Sequence, residues 1–136
     1  MHAPMAGRSF APTDVFFSDV NVVEPDVLFV RADHVERVEK KFVRSAPDIV
    51  VEISSPSGRR LELVRERELY ERFEVPEYWY VDLDADRIEV YRHTEGRYPV
   101  PVLLGRGDRL TSPLVPDFDV AVDEVLGPPE KEVVDG

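Results

Sequence analysis

The segment from residue 49 to residue 82 constrains the fold more than any other part of this chain. Ile49-Val50-Val51-Glu52-Ile53 is a run of branched apolar residues carrying one acid, the composition of a strand. Ser55-Pro56-Ser57-Gly58 interrupts it with turn formers, and the stretch from Arg59 to Phe73 is rich in Leu, Glu and Arg with no breaker inside. The spacing predicts a helix over 59–73, capped by the serine hydroxyls that precede it. Leu63, Tyr70 and Phe73 share one stripe that should face a sheet, while Arg59, Arg60 and Arg67 lie largely off it. Glu66, three residues after Leu63 and four before Tyr70, belongs to the inward stripe, so its carboxylate points toward the sheet. Val75-Pro76 ends the helix, and Glu77-Tyr78-Trp79-Tyr80-Val81-Asp82 reads as a strand buried on both faces.

Strands dominate the rest. Val22-Val23 and Val27-Leu28-Phe29-Val30 flank Pro25-Asp26, as Ile49 to Ile53 follows Pro47-Asp48, so two strands each begin beside a Pro-Asp dipeptide. Ala32 to Phe42 is charged and polar, which favours a short helix or excursion over a third strand. Arg87 to Arg92 alternates with period two, the mark of an antiparallel strand with one wet face, and Tyr98 to Leu104 should be its hairpin partner. Val120 to Leu126 should close with one helical turn, and the end from Gly127 to Gly136 should fray.

A chain of 136 residues with 43% apolar content fits one domain. The charge of −11, from 28 acidic and 17 basic residues, argues against a whole surface built for nucleic acid, so any DNA contact must be local. With no cysteine there is no disulfide framework, thiolate zinc site or cysteine nucleophile, which fits a reducing cytoplasm. No signal-peptide core and no span of membrane length occur, so no membrane partner is expected.

The chemistry that remains is carboxylate chemistry. An Asp on one strand and a Glu on its neighbour can share a hard cation, because adjacent strands lie about 4.8 Å apart. Asp26 and Glu52 are the candidates, with Asp48 close behind. Read by spacing alone, the same residues are also ordinary turn formers, and Asp48 could simply cap a turn after Pro47. His2, His34 and His93 have no spacing for zinc or a triad. Tyr78-Trp79-Tyr80 could stack bases if exposed, but its strongly apolar strand makes core packing the better reading.

Three motifs in order carry a resemblance: Val23-Glu24-Pro25-Asp26-Val27-Leu28-Phe29-Val30, then Ala46-Pro47-Asp48-Ile49-Val50-Val51-Glu52-Ile53-Ser54-Ser55-Pro56-Ser57, then Val75-Pro76-Glu77-Tyr78-Trp79. Together with Gly107-Asp108-Arg109-Leu110 and Ser112-Pro113-Leu114, they make the chain resemble the bacterial Uma-two family of restriction endonucleases from about Arg8 to Leu126. The resemblance implies an α/β (α+β) restriction-endonuclease-like PD-(D/E)XK core: a mixed sheet, one main helix and a C-terminal antiparallel hairpin. It implies metal-dependent phosphodiester hydrolysis, with Asp26 and Glu52 as ligands of Mg²⁺ or Mn²⁺. Ser54 stands where the E-x-K lysine would be, and family members resemble one another in supplying a lysine from the helix, at the position that here is Glu66. A glutamate there adds negative charge where a lysine would offset it. Arg65 is one residue away, about 100° around the helix.

The resemblance also implies a missing first helix, so the expected domain is 8–126, an abbreviated form followed by a disordered tail over 127–136. Metal binding should then be weak, and the uncovered apolar sheet surface should be met by a second copy in a homodimer. Three functions stay open at this point. They are a metal-dependent DNA endonuclease with Arg59, Arg60, Arg65 and Arg67 near phosphates, a noncatalytic remnant or interaction module of the same fold, and an acidic regulatory domain unrelated to nucleic acid.

Overall fold

Parallel strands joined by a helix need a crossover of a dozen or more residues, and this chain has one such connection among the described residues. The computed structural model describes residues 8–10, 14–18, 21–23, 26–30, 38–39, 42–44, 47–55 and 58–129. In chain order the elements are β1 (Arg8–Phe10), β2 (Asp14–Ser18), β3 (Asn21–Val23), β4 (Val27–Val30), β5 (Val38–Glu39), β6 (Phe42–Arg44) and β7 (Ile49–Ser54). There follow α1 (Arg60–Arg72), β8 (Glu77–Asp82), β9 (Arg87–Arg92), β10 (Val102–Leu104), β11 (Arg109–Ser112), β12 (Val115–Ala121) and α2 (Val122–Leu126).

The six-stranded sheet has the order β1-β4-β7-β8-β9-β10. β7 and β8 are parallel, with Glu52 opposite Tyr80, and α1 makes the crossover between them. β4 is antiparallel to β7, and β9 to β8, so the central pair is flanked on both sides and all six residues of β8 are buried. β3-β2-β6-β5 form a second, four-stranded sheet, and β11-β12 a hairpin. The α+β architecture expected from the motifs, a mixed sheet with one main helix, is therefore the one adopted.

Period two sorts the side chains of the large sheet onto two faces. On one, Val50, Tyr78, Tyr80 and Tyr91 meet Leu63 and Tyr70 of α1, with the Tyr70 and Tyr78 rings 5.1 Å apart. On the other, Ile49, Trp79, Val81, Ile88 and Val90 meet Leu110 and Val122. Beside this second cluster lies an apolar concavity lined by Phe29, Val51, Phe118 and their neighbours.

Several sequence expectations need correction. The polar stretch 32–42 contains a strand, β5, paired antiparallel with β6, which begins at Phe42; residues 32–37, 40 and 41 lie outside the described residues. Val22-Val23 and Val27 to Val30 flank one dipeptide yet enter different sheets. The N-cap of α1 is Arg59, which makes no side-chain capping bond, and the first helical bond runs from Leu63 N to Arg59 O at 2.9 Å; Ser57, one of the serines expected to cap, lies outside the described residues. Phe73 closes the helix as its half-buried C-cap. The face of β9 read as wet is partly roofed by α1, where Arg87 and Glu89 are half-buried and Tyr91 is buried. The partner of β9 is only Val102–Leu104, because Pro99 and Pro101 lack the N–H groups a ladder needs. Tyr98 turns under the end of α1 instead, where its N–H donates to Glu71 Oε2 and its hydroxyl to Val75 O, both at 2.8 Å. The β11-β12 hairpin has no counterpart in the sequence reading. The final helical turn is present as α2, and the tail expected to fray lies outside the described residues from 130 onward.

Glu77 holds that hairpin to the sheet. It is 2% exposed and accepts from Trp79 Nε1 at 2.8 Å, Ser112 Oγ at 2.9 Å and Arg92 Nε at 3.3 Å. Removing a buried acceptor strands its donors, which costs about 1–3 kcal/mol for neutral groups and more for charged ones. Glu77→Ala should therefore destabilise the chain by about 3 kcal/mol, read as a lower urea midpoint at unchanged slope, with faster amide exchange at Leu110. An unchanged midpoint would show that the hairpin is held by its apolar contacts alone.

Candidate active site

The register of β4 on β7 decides where two of the acids meet. Val27 stands opposite Val51, and antiparallel pairing carried one step further sets Asp26 beside Glu52 on the same face. The ladder closes there through a side chain, with Ile53 N–H donating to Asp26 Oδ2 at 2.6 Å. Glu52 is 5% exposed and accepts from the Tyr70 hydroxyl at 2.8 Å on Oε2. Sequence reasoning assigned Tyr70 to the core; its hydrogen bond to Glu52 pairs residues 18 apart, which no local spacing reveals.

α1 presents two different flanks to this face. Positions 59, 62 and 66 fall along one, where Arg59 Nε donates to Glu62 Oε1 at 3.1 Å and Glu66 confronts Glu52. Positions 60, 64 and 67 fall along the other, over β9, where the Arg67 guanidinium lies 5.5 Å from the centre of the Tyr91 ring. Glu66 is half-buried, and its Oε1 is fully buried without a hydrogen-bond partner. Either carboxyl of the Glu52 and Glu66 pair can hydrogen-bond the other only while one carries a proton.

Burial pushes the Glu52 carboxyl up to about 7, and the neighbouring charges of Glu66 and Asp26 push the same way, against the Tyr70 hydrogen bond and the Arg59 charge. Burial also raises Glu66, helped by Glu62 and Asp26 and opposed by Arg59. Both shifts share a first cause, burial, which disfavours the charged carboxylate, and the neighbouring acids add to it.

Asp48 does not join the group. It is buried at the opposite end of β7, four residues or about 13 Å from Glu52 along the strand, and its backbone bridges Phe29 O and Glu77 N. Ser54, at the lysine position of the E-x-K step, pairs its hydroxyl with Tyr80 at 3.1 Å. Arg65 is exposed on the outer side of α1. His93 is half-buried with Nε2 at 3.1 Å from Glu71 O, while His2 and His34 lie outside the described residues. Among the described residues, no three His, Cys, Asp or Glu side chains are grouped to hold one ion, and Asp26 with Glu52 is the pair of acids that the strand register sets side by side.

The fold has a counterpart among solved structures. A solved structure described as a putative nuclease belonging to DUF820, from Anabaena variabilis ATCC 29413, superposes with a TM-score of 0.72 at 17% identity, covering 90% of this chain and 69% of that one. That likeness establishes the fold. No curated protein matches the chain. The family profile described as "Uma2: Putative restriction endonuclease" matches residues 4–123, nearly the whole length, and the chain therefore belongs to the Uma2 family.

Proposed function

We propose that this chain is a metal-dependent nuclease that hydrolyses DNA phosphodiesters, and that Glu66 makes it slow. The pairing of Asp26 with Glu52 at one end of neighbouring strands carries the reading. Mg²⁺ and Mn²⁺ need only one or two protein carboxylates, with water and phosphate oxygens completing the shell. Asp26 and Glu52 supply that set, and the guanidinium whose charge reaches them, Arg59, already donates to Glu62, which leaves Glu66 Oε1 without a partner. A bound ion supplies Lewis-acid polarisation of the phosphate.

The chain's own residues orient the site. Tyr70 fixes Glu52 through Oε2, and the Ile53 amide fixes Asp26 through Oδ2. Hydrolysis adds water to phosphorus and breaks one P–O ester bond, so negative charge grows on the phosphoryl and leaving oxygens. A cation at position 66 would offset that charge, and a carboxyl opposes it. This same carboxyl favours the second reading, a member that keeps the fold and has lost the chemistry.

Glu66→Lys separates the two. It should raise Mg²⁺-dependent cleavage of plasmid by about tenfold or more, within the range that single charge-stabilising groups contribute, and Asp26→Ala should abolish cleavage in both backgrounds. A natural chain that already cuts fast and loses activity in Asp26→Ala would show that Glu66 is not disabling. No cutting by Glu66→Lys, with the fold and metal binding intact, would favour the noncatalytic member.

The buried acid also predicts a pH dependence of stability. Glu52 keeps its proton to about 7 in the folded chain against 4.5 ordinarily, so the folded state binds this proton more tightly. The stabilisation is complete below the ordinary value, declines as pH rises through 7 and is lost above it, a fall of up to about 3 kcal/mol. Glu52→Gln should match the natural chain near pH 4 and exceed it in urea denaturation near pH 8, where millimolar Mg²⁺ should stabilise only the natural chain. Parallel pH profiles for the two chains would show that another group titrates.

A further inference from the structure

The second flank of α1 encloses a feature that the carboxylate chemistry leaves unused. Between α1 and β9 lies a cavity of about 200 Å³ whose charged walls are Arg60, Arg67, Arg87, Asp82 and Glu89, with the Tyr91 ring beside them. The two acids are already engaged. Asp82 Oδ1 accepts the Asp84 and Ala85 amides at 3.0 and 2.9 Å, and Glu89 accepts from Arg87 at 3.0 Å and from the Tyr91 hydroxyl at 2.8 Å. Of the arginines, only Arg87 is paired with one of these acids. Arg60 and Arg67 have no carboxylate partner among the described residues; Arg67 has only the Tyr91 ring and a long 3.5 Å contact to its hydroxyl. Arg87 Nε is buried with no acceptor. A buried guanidinium donor without an acceptor, beside two uncommitted arginines, describes a site for an oxyanion.

Its position identifies the source of that anion. Glu52 stands opposite Tyr80, and Tyr80 opposite Glu89, so the cavity lies two strand spacings, about 10 Å, from the carboxylate pair on the same face of the sheet. That distance corresponds to a few nucleotides along one strand. We infer that the Arg60, Arg67 and Arg87 pocket binds a backbone phosphate of a nucleic-acid strand a few nucleotides from the bond presented to Asp26 and Glu52. The inference rests on the nuclease reading for its orientation. Guanidinium groups suit the task because their planar donors pair with two phosphate oxygens at once. On a chain of net charge −11, such a pocket confines attraction for the polyanion to the flank where the strand must lie.

The test is anisotropy of a short labelled duplex with the full chain in EDTA, titrated at several KCl concentrations. Arg60→Gln and Arg67→Gln should each weaken binding severalfold and flatten the plot of log affinity against log salt by about 0.9, the loss of one phosphate contact. Arg67→Lys should keep the slope, showing that charge rather than packing on Tyr91 is read. Arg109→Gln, at an exposed pair with Asp119 on β11 and β12, should change neither. Unchanged slopes in both glutamine variants, or no duplex binding by the natural chain, would overturn the inference. So would arginine-dependent binding of inorganic phosphate with duplex affinity indifferent to the same changes, which would make the pocket a small-anion site. Cleavage assays keep the two readings apart. An arginine-dependent slope in a chain that never cuts supports the pocket without the nuclease, and cutting abolished by Asp26→Ala with normal slopes does the reverse.

Discussion

The hydrogen bond from Tyr70 to Glu52 is the contact on which the arrangement of this face depends. A carboxylate buried at the middle of a sheet needs a donor, and leaving either partner unpaired costs about 1–3 kcal/mol, so the bond pins the rotation of α1 as well as its position. With Tyr70 fixed over β7, helical geometry does the rest. Residues 59, 62 and 66 turn toward the acids of β4 and β7, and residues 60, 64 and 67 turn toward β9. One contact therefore sorts the helix into a flank that gathers carboxylates and a flank that gathers arginines. Because the crossover is anchored at β7 and returns along β8, both flanks stay on the same face of one sheet.

What was legible in the sequence follows from how local each signal is. The strand, helix and strand from 49 to 82 could be read because branched apolar runs and a breaker-free amphipathic stretch encode themselves within a few residues. The inward aim of Glu66 could be read for the same reason. The two Pro-Asp dipeptides look alike in sequence, and only topology distinguishes them. β4 and β7 are antiparallel, so the beginning of β4 lies at the far end of β7; Asp26 arrives beside Glu52 while Asp48 stays at the other end. Tertiary contacts were the unreadable part. The Glu77 network joins residues 35 apart through Ser112, and Tyr98 satisfies its N–H on a helix 27 residues away. The unpaired donor of Arg87 became visible only once α1 roofed β9.

Charge places a further condition on any chemistry at this site. At physiological salt the field of a surface charge fades over about 8 Å, so the arginine pocket acts only on a strand already close to it. Asp26, Glu52 and Glu66 meanwhile repel a phosphate brought to the carboxylate end. A divalent ion on Asp26 and Glu52 would cancel two of those charges, so an ion and a nucleic acid bound there would each strengthen the other's binding by the same factor, as linkage requires. A lysine at position 66 would contribute to that coupling directly. With a glutamate at that position, attraction for a phosphate would rest on such an ion and on the arginines two strands away.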